Sequence, residues 1–389
     1  MSYEIYLSPP FMGGREREFV QDAFDSNWIA PVGPHIKAFE QEVSDYIGVK
    51  SALALTSGTA AIHLALRYFG VQANDYVFCQ DFTFIGTCNP VLYEKAIPIF
   101  IDSELDTWNM SPIALENAFT WAEQNNKMPK AVIICDIYGE SADWDKLLPI
   151  CRKYGVPVIE DAAEAMGSEY KGKRCGSFGD ISILSFNGNK IITTSGGGMV
   201  LSNNCEAIKK MQFWSTQSRE PVAWYEHEET GFNYRMSNVC AAIGRGQLCI
   251  LPDKLSRRMN IFNAYKESFE DTPVYIKSDL LGGSNHWLNV LCFEDSPVSA
   301  GQIVEVLKEA KIEARPSWKP MHMQPLFSEA TFFMDEERFI NGKDAIGLEN
   351  CISERVFTKS LCLPSGDALT REEINLIATI IKDCISSND

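Results

Sequence analysis

Between about residue 50 and residue 202, short apolar runs rich in β-formers alternate with stretches whose apolar positions recur at helical spacing. The runs are Ala52 to Leu55, Tyr76 to Cys79, Pro98 to Ile101, Ala131 to Cys135, Val156 to Glu160, Ile181 to Ser185 and Met199 to Ser202. Alternation of this kind predicts an α/β fold. The runs are continuously apolar rather than alternating, which predicts strands buried on both faces: a mainly parallel, seven-stranded sheet flanked by helices. After the first run, Ala61, Leu64, Ala65 and Tyr68 mark one face of a helix that Gly70 can end. Beyond residue 250 the pattern changes to long helices (Lys254 to Glu270, Ala300 to Ala310, Arg371 to Ser386) and one isolated strand (Trp287 to Phe293). The expected division is a large domain over 1–250 and a smaller C-terminal α+β domain over 251–389.

Composition sharpens this picture in three ways. The 389 residues, 45% hydrophobic and 22% charged, exceed what a single core usually serves, in keeping with two domains. No apolar run reaches the roughly 18 residues of a membrane helix, and the N-terminus lacks signal-peptide order, so a cytoplasmic location is expected. The twelve cysteines are scattered without a C-x-x-C pair or a neighbouring histidine, so they read as reduced residues and no metal is expected. A formal charge of -17 opposes nucleic acid; any phosphate-bearing ligand must be small and held by local donors.

Three strand ends carry candidate chemistry, because ligands of parallel sheets sit beyond the carboxyl ends of the strands. Thr56-Ser57-Gly58-Thr59 joins a strand to a helix start and offers free amides, hydroxyls and the positive dipole end, a competent phosphate cradle; alone, such a motif is more often an ordinary helix cap. Asp161 ends the strand Val156 to Glu160. A carboxylate there can keep a pyridine nitrogen protonated, the electron sink that pyridoxal chemistry needs, or merely cap the next helix. Lys190 lies on a polar turn after Ile181 to Ser185, where its amine can form a Schiff base with an aldehyde and carry protons, or be a solvated surface lysine. Taken together and in this order, the three supply each contact a phosphorylated pyridine aldehyde requires.

With the stretches Thr56–Leu66, Asp81–Thr87, Val158–Asp180, Ser185–Gly198 and Gly231–Leu248, the chain resembles the DegT/DnrJ/EryC1/StrS family of sugar aminotransferases over nearly its whole length. The resemblance implies fold type I of the pyridoxal 5′-phosphate (PLP)-dependent transferases. It also implies roles by position. Lys190 would hold the cofactor, Asp161 would pair with the ring nitrogen, Glu164 would sit near the ring hydroxyl, and Phe84 would stack on the ring. Ser57, Gly58, Thr59 and Ser185 would hold the phosphate, with Asn233 reaching it from the other subunit of a homodimer. Many relatives carry His or Gln where this chain has Glu164, while relatives that act as dehydratases lack the lysine at 190.

Leu7–Gly14, Ser26–Gly33, Arg315–His322 and Leu361–Gly366 further resemble the bacillosamine-pathway branch. That implies a nucleotide-sugar site lined by Asn27, Trp28, Ile29 and Ala30 together with Trp318, Lys319, Pro320, Met321 and His322; these segments read equally as packed inter-domain loops. The expected reaction passes nitrogen from L-glutamate to C4 of a UDP-linked 2-acetamido-2,6-dideoxy-4-keto-hexose. The alternatives are a dTDP- or GDP-linked keto-sugar, or a regulator that binds PLP without turnover.

Overall fold

A computed structural model describes residues 3–293, 298–336, 339–341, 347, 348 and 350–387. Among these the strands, in chain order, are β1 (Ser51–Leu55), β2 (Tyr76–Gln80), β3 (Ile97–Ile101), β4 (Pro129–Cys135), β5 (Val158–Asp161), β6 (Glu169–Tyr170), β7 (Lys173–Arg174), β8 (Ile181–Ser185) and β9 (Gly198–Ser202). They continue with β10 (Tyr275–Ile276), β11 (Asn289–Cys292), β12 (Arg315–Pro316), β13 (Thr331–Phe333), β14 (Phe339–Asn341) and β15 (Ser360–Leu363). The seven apolar runs each become a strand of one sheet, in the order β1-β9-β8-β5-β4-β2-β3, with β9 antiparallel to both its neighbours. The sheet does not stop at seven. β13 adds in parallel to β3 and β14 pairs antiparallel to β13, making nine strands. β13 is three residues of an otherwise irregular stretch, too short for a periodic signal.

The central strands β2 and β4 bury nearly every residue because helices cover both faces. On one face the core is built from Leu64, Val77, Ile133, Ile159 and Val200; on another, Phe78, Ile99, Ile134 and Phe119 pack together. The helix Gly58–Tyr68 begins immediately after β1, where the Ser57 side chain accepts the Ala60 amide at 3.0 Å.

Past residue 250, helices Leu251–Ser268, Ala300–Glu309 and Arg371–Ser386 pack on a four-stranded sheet ordered β10-β11-β15-β12 through Tyr265, Leu291, Ile303, Leu361 and Ile377. Ser299 with Gln302, and Thr370 with Glu373, form capping boxes that start two of these helices. Buried Lys254 and Arg258 both pair with Asp367, at 3.1 and 2.8 Å, and Arg258 Nη1 also donates to the Trp287 carbonyl at 2.9 Å. This buried group fixes the loop that carries Trp287 toward the main sheet. No helix among the described residues is long and apolar enough to cross a membrane.

Candidate active site

A cavity of about 700 Å³ opens at the carboxyl ends of β1, β5 and β8. Ser57, Gly58, Thr59, Phe84, Asp161, Glu164, Ser185 and Lys190 all line it, although they come from four separate stretches of chain. The cradle end is tightly built. A Cβ on Gly58 would come within 3.3 Å of Ser185 Cβ, and one on Gly198 would sit 2.3 Å from the Gly58 nitrogen, so only glycine lets β9 pass this close to the turn after β1. The first-turn amides of Gly58 and Thr59 have no intrahelical acceptor and lie at the positive end of the helix, beside the Ser57 and Ser185 hydroxyls.

Asp161 is the last residue of β5 and is 7% exposed. Its Oδ2 accepts the Thr87 hydroxyl at 2.7 Å, and its Oδ1 accepts the Ala163 amide at 3.2 Å. Thr87 Oγ1 lies 2.8 Å from Thr83 Oγ1, which in turn lies 3.0 Å from Cys135 Sγ. Burial raises the Asp161 carboxyl above its ordinary range, opposed by the Thr87 and Ala163 hydrogen bonds and the Lys190 charge. No Lys, Arg or His among the described residues forms an ion pair with Asp161. A buried carboxylate facing a cavity, bonded to neutral donors and lacking a cationic partner, fits a protonated pyridine ring nitrogen.

Lys190 Nζ lies 3.3 Å from Glu164 Oε1 and 4.0 Å from the centre of the Trp287 ring. The other oxygen of Glu164 accepts the Tyr138 amide at 2.7 Å. Burial pushes Glu164 up to about 7, against the pull of Lys190. Asn285 donates to the Glu164 and Met166 carbonyls at 2.7 and 3.0 Å, so the loop after β5 is clamped by the same short segment that supplies Trp287. At the mouth, the half-exposed Phe84 ring lies 5.6 Å from Trp318, which also contacts Tyr138 and Trp287.

Nine residues were expected to form the nucleotide-sugar site, and of these only Trp318 lines the cavity of one chain. Asn27–Ala30 is exposed and held elsewhere: the Trp28 and Ala30 carbonyls accept the Asn238 side chain and amide at 2.7 and 2.9 Å. Lys319 is partly buried outside the lining, Pro320 is buried, and Met321 packs in the main core. His322 is also away from the cavity, 2% exposed between Asp81 (2.7 Å) and Glu354 (3.0 Å), with its ring on Phe332. Asn233 is exposed and bridges Thr216, outside its own chain's cavity. Conversely, sequence reasoning missed Thr87, Tyr138, Trp287 and Arg315 as parts of the site; Thr87 and Arg315 stood inside the motif stretches without an assigned role.

A lysine and a buried acid at adjacent strand ends, facing a glycine-tight helix start on an open α/β sheet, fit a PLP-dependent transferase of fold type I. The chain belongs to the DegT/DnrJ/EryC1/StrS aminotransferase family, whose model matches residues 10–382. It is therefore a PLP-dependent sugar aminotransferase. It is 49% identical over 383 residues to the putative pyridoxal phosphate-dependent aminotransferase EpsN of Bacillus subtilis, covering 98% of this chain and 96% of that one. It is 33% identical to the GDP-perosamine synthase of Escherichia coli O157:H7, covering 98% and 99%. It is 35% identical to the UDP-4-amino-4,6-dideoxy-N-acetyl-beta-L-altrosamine transaminase of Campylobacter jejuni (strain 81-176), covering 75% and 77%. Among solved structures, Helicobacter pylori PseC shares the fold with a TM-score of 0.87 at 24% identity, both chains covered in full.

Proposed function

We propose that this aminotransferase moves an amino group from L-glutamate to C4 of a UDP-linked 2-acetamido-2,6-dideoxy-4-keto-hexose. The carrying observation is the Lys190 amine inside an open cavity, 3.3 Å from Glu164 and on the same wall as the buried Asp161. When bound, PLP supplies an aldehyde that takes up and yields nitrogen, and a protonated ring that withdraws electrons. In this reading Lys190 holds the cofactor and, once released, moves a proton at its Nζ. Asp161, whose charged form the Thr87 hydroxyl and the Ala163 amide favour against its burial, holds the ring nitrogen protonated. Ser57, Gly58, Thr59 and Ser185 hold the phosphate, and Phe84 covers the ring. Glu164, poised near neutrality, can hold or release a proton beside the lysine and the ring hydroxyl.

Asn233, Asn27, Trp28, Ile29 and Ala30 reach a site only by crossing to a second copy, which makes the enzyme a homodimer with shared sites in this proposal. We take residues 1–250 as the cofactor-binding domain and 251–389 as the smaller domain that brings Trp318 to the cavity. Twelve free cysteines support a reducing, cytoplasmic setting. The UDP-sugar reading draws support from the Campylobacter transaminase, while the GDP-perosamine synthase favours a GDP-linked 4-keto sugar as the second reading. Mass spectrometry of products from UDP-, GDP- and dTDP-linked 4-keto sugars with L-glutamate separates them. Fastest amination of the UDP-linked 2-acetamido sugar is expected; a clear preference for a GDP- or dTDP-linked sugar rejects the UDP assignment.

A further inference from the structure

Both reactants in this reading are anions, and the chain carries a formal charge of -17, so their attraction must come from donors local to the cavity, cations foremost among them. Among the described residues, two basic side chains of the chain line the cavity, Lys190 and Arg315. Lys190 is committed between Glu164 and Trp287. Arg315 is not committed in that way. It stands on β12 at the mouth, three residues before Trp318, with its side chain 69% exposed.

Its orientation is fixed by a single acid. Glu313 Oε1 accepts from Arg315 Nε at 3.1 Å and from Nη2 at 2.7 Å. Nη1 has no partner among the described residues. Glu313 is itself held, 12% exposed, because its Oε2 accepts the Leu7 amide at 3.0 Å and its own amide donates to the Ile5 carbonyl at 2.9 Å. The N-terminal segment Tyr6–Pro10, which also lines the cavity, is thereby laced to the strand bearing Arg315. As a stability device the arrangement achieves little, since an exposed ion pair is screened by solvent. As a way to aim a guanidinium it is effective: one edge is pinned by an acid held in place by the Leu7 amide, and the other is left open at the mouth. A planar guanidinium matches an oxyanion with two parallel N–H donors.

We propose that Arg315, oriented by Glu313, is the oxyanion-recognition residue of the cavity mouth and helps set which substrates enter. The inference rests on the aminotransferase reading above and deepens it. The oxyanion is either the distal carboxylate of a dicarboxylic amino donor or the diphosphate of the nucleotide sugar. Both offer the paired oxygens a guanidinium recognises.

The test is equilibrium calorimetry on holoenzyme, using unreactive probes for each source: glutarate against butyrate, and UDP against uridine. Arg315→Gln is compared with wild type, and Arg315→Lys keeps the charge but loses the fork. Because residue 315 is a surface position, the variants should melt as wild type does. Arg315→Gln should weaken one anion by tenfold or more, the size of a lost charge-assisted hydrogen bond, with Lys intermediate. Loss confined to glutarate, with butyrate unchanged, assigns the donor carboxylate. Loss confined to UDP, with uridine unchanged, assigns the diphosphate. If Arg315→Gln binds all four probes within twofold of wild type, the proposal is overturned even when the enzyme transaminates. A shift in probe binding with no turnover on any keto-sugar would instead fault the functional reading and leave this one standing.

Discussion

Replacing Thr87 by valine removes one hydroxyl and keeps the side chain's shape, at a position 2% exposed. The lost bond is the 2.7 Å donation to Asp161 Oδ2, the shortest hydrogen bond the acid receives, and Thr83 loses its neighbour at 2.8 Å as well. Burial already raises the Asp161 carboxyl, and the Thr87 bond is the largest influence opposing it. A hydrogen bond to a charged group contributes about 1.5–3 kcal/mol, and each 1.4 kcal/mol is a factor of ten. If Asp161 must be ionised to hold the ring nitrogen protonated, the glutamate half-reaction in Thr87→Val should slow by about ten- to a hundredfold. The rate is read by stopped-flow absorbance of the cofactor at saturating glutamate. Thr87→Ser keeps the hydroxyl and should run within a few fold of wild type, which separates the hydrogen bond from packing. A folded, cofactor-loaded Thr87→Val enzyme reacting within threefold of wild type would refute the reasoning.

Two further predictions concern pH. His322 is raised to about 10 by Asp81 and Glu354 despite its burial, so its stabilisation is complete below its unfolded value of 6.5 and is lost as pH rises toward 10. At 1.36 kcal/mol per pH unit that window holds on the order of 5 kcal/mol. The melting gap between wild type and His322→Gln should therefore narrow steadily from pH 6.5 to pH 10, and a constant gap would count against a charged imidazole. Glu164 has the opposite sign. A carboxyl raised to about 7 costs the cofactor-free fold stability as pH rises from 4.5 through 7, so Glu164→Gln should melt above wild type at pH 8 and gain nothing below pH 4.5. Equal melting temperatures at pH 8 would show that the pairing with Lys190 outweighs burial.

What the sequence made legible was local. Buried strands announce themselves by continuous apolar character, and residues at their ends inherit a place at the ligand edge. This is how Ser57, Asp161 and Lys190 could be set around one cavity before any coordinates. The contacts among them were not legible, because they join distant stretches: Thr87 meets Asp161 across 74 positions, and Trp287 covers a lysine 97 residues earlier. His322 shows a different limit. A histidine in a motif beside a tryptophan reads as a ligand residue, yet two buried acids, one 241 positions away, turn it into an internal ion pair. Asn27–Ala30 carries apolar residues that stay exposed, and nothing in a linear pattern distinguishes a pocket wall from an exposed turn. The β13–β14 extension escaped for a simpler reason, since three-residue strands carry no period.

Covalent attachment to Lys190 is the step on which the proposed function turns. Purified holoenzyme is reduced with borohydride, digested, and mapped by mass spectrometry for the pyridoxyl phosphate adduct. The adduct is expected on the peptide containing Asn189-Lys190-Ile191, with no adduct and no turnover in Lys190→Ala. An adduct on any other lysine, or a Lys190→Ala enzyme that still turns over, would contradict it.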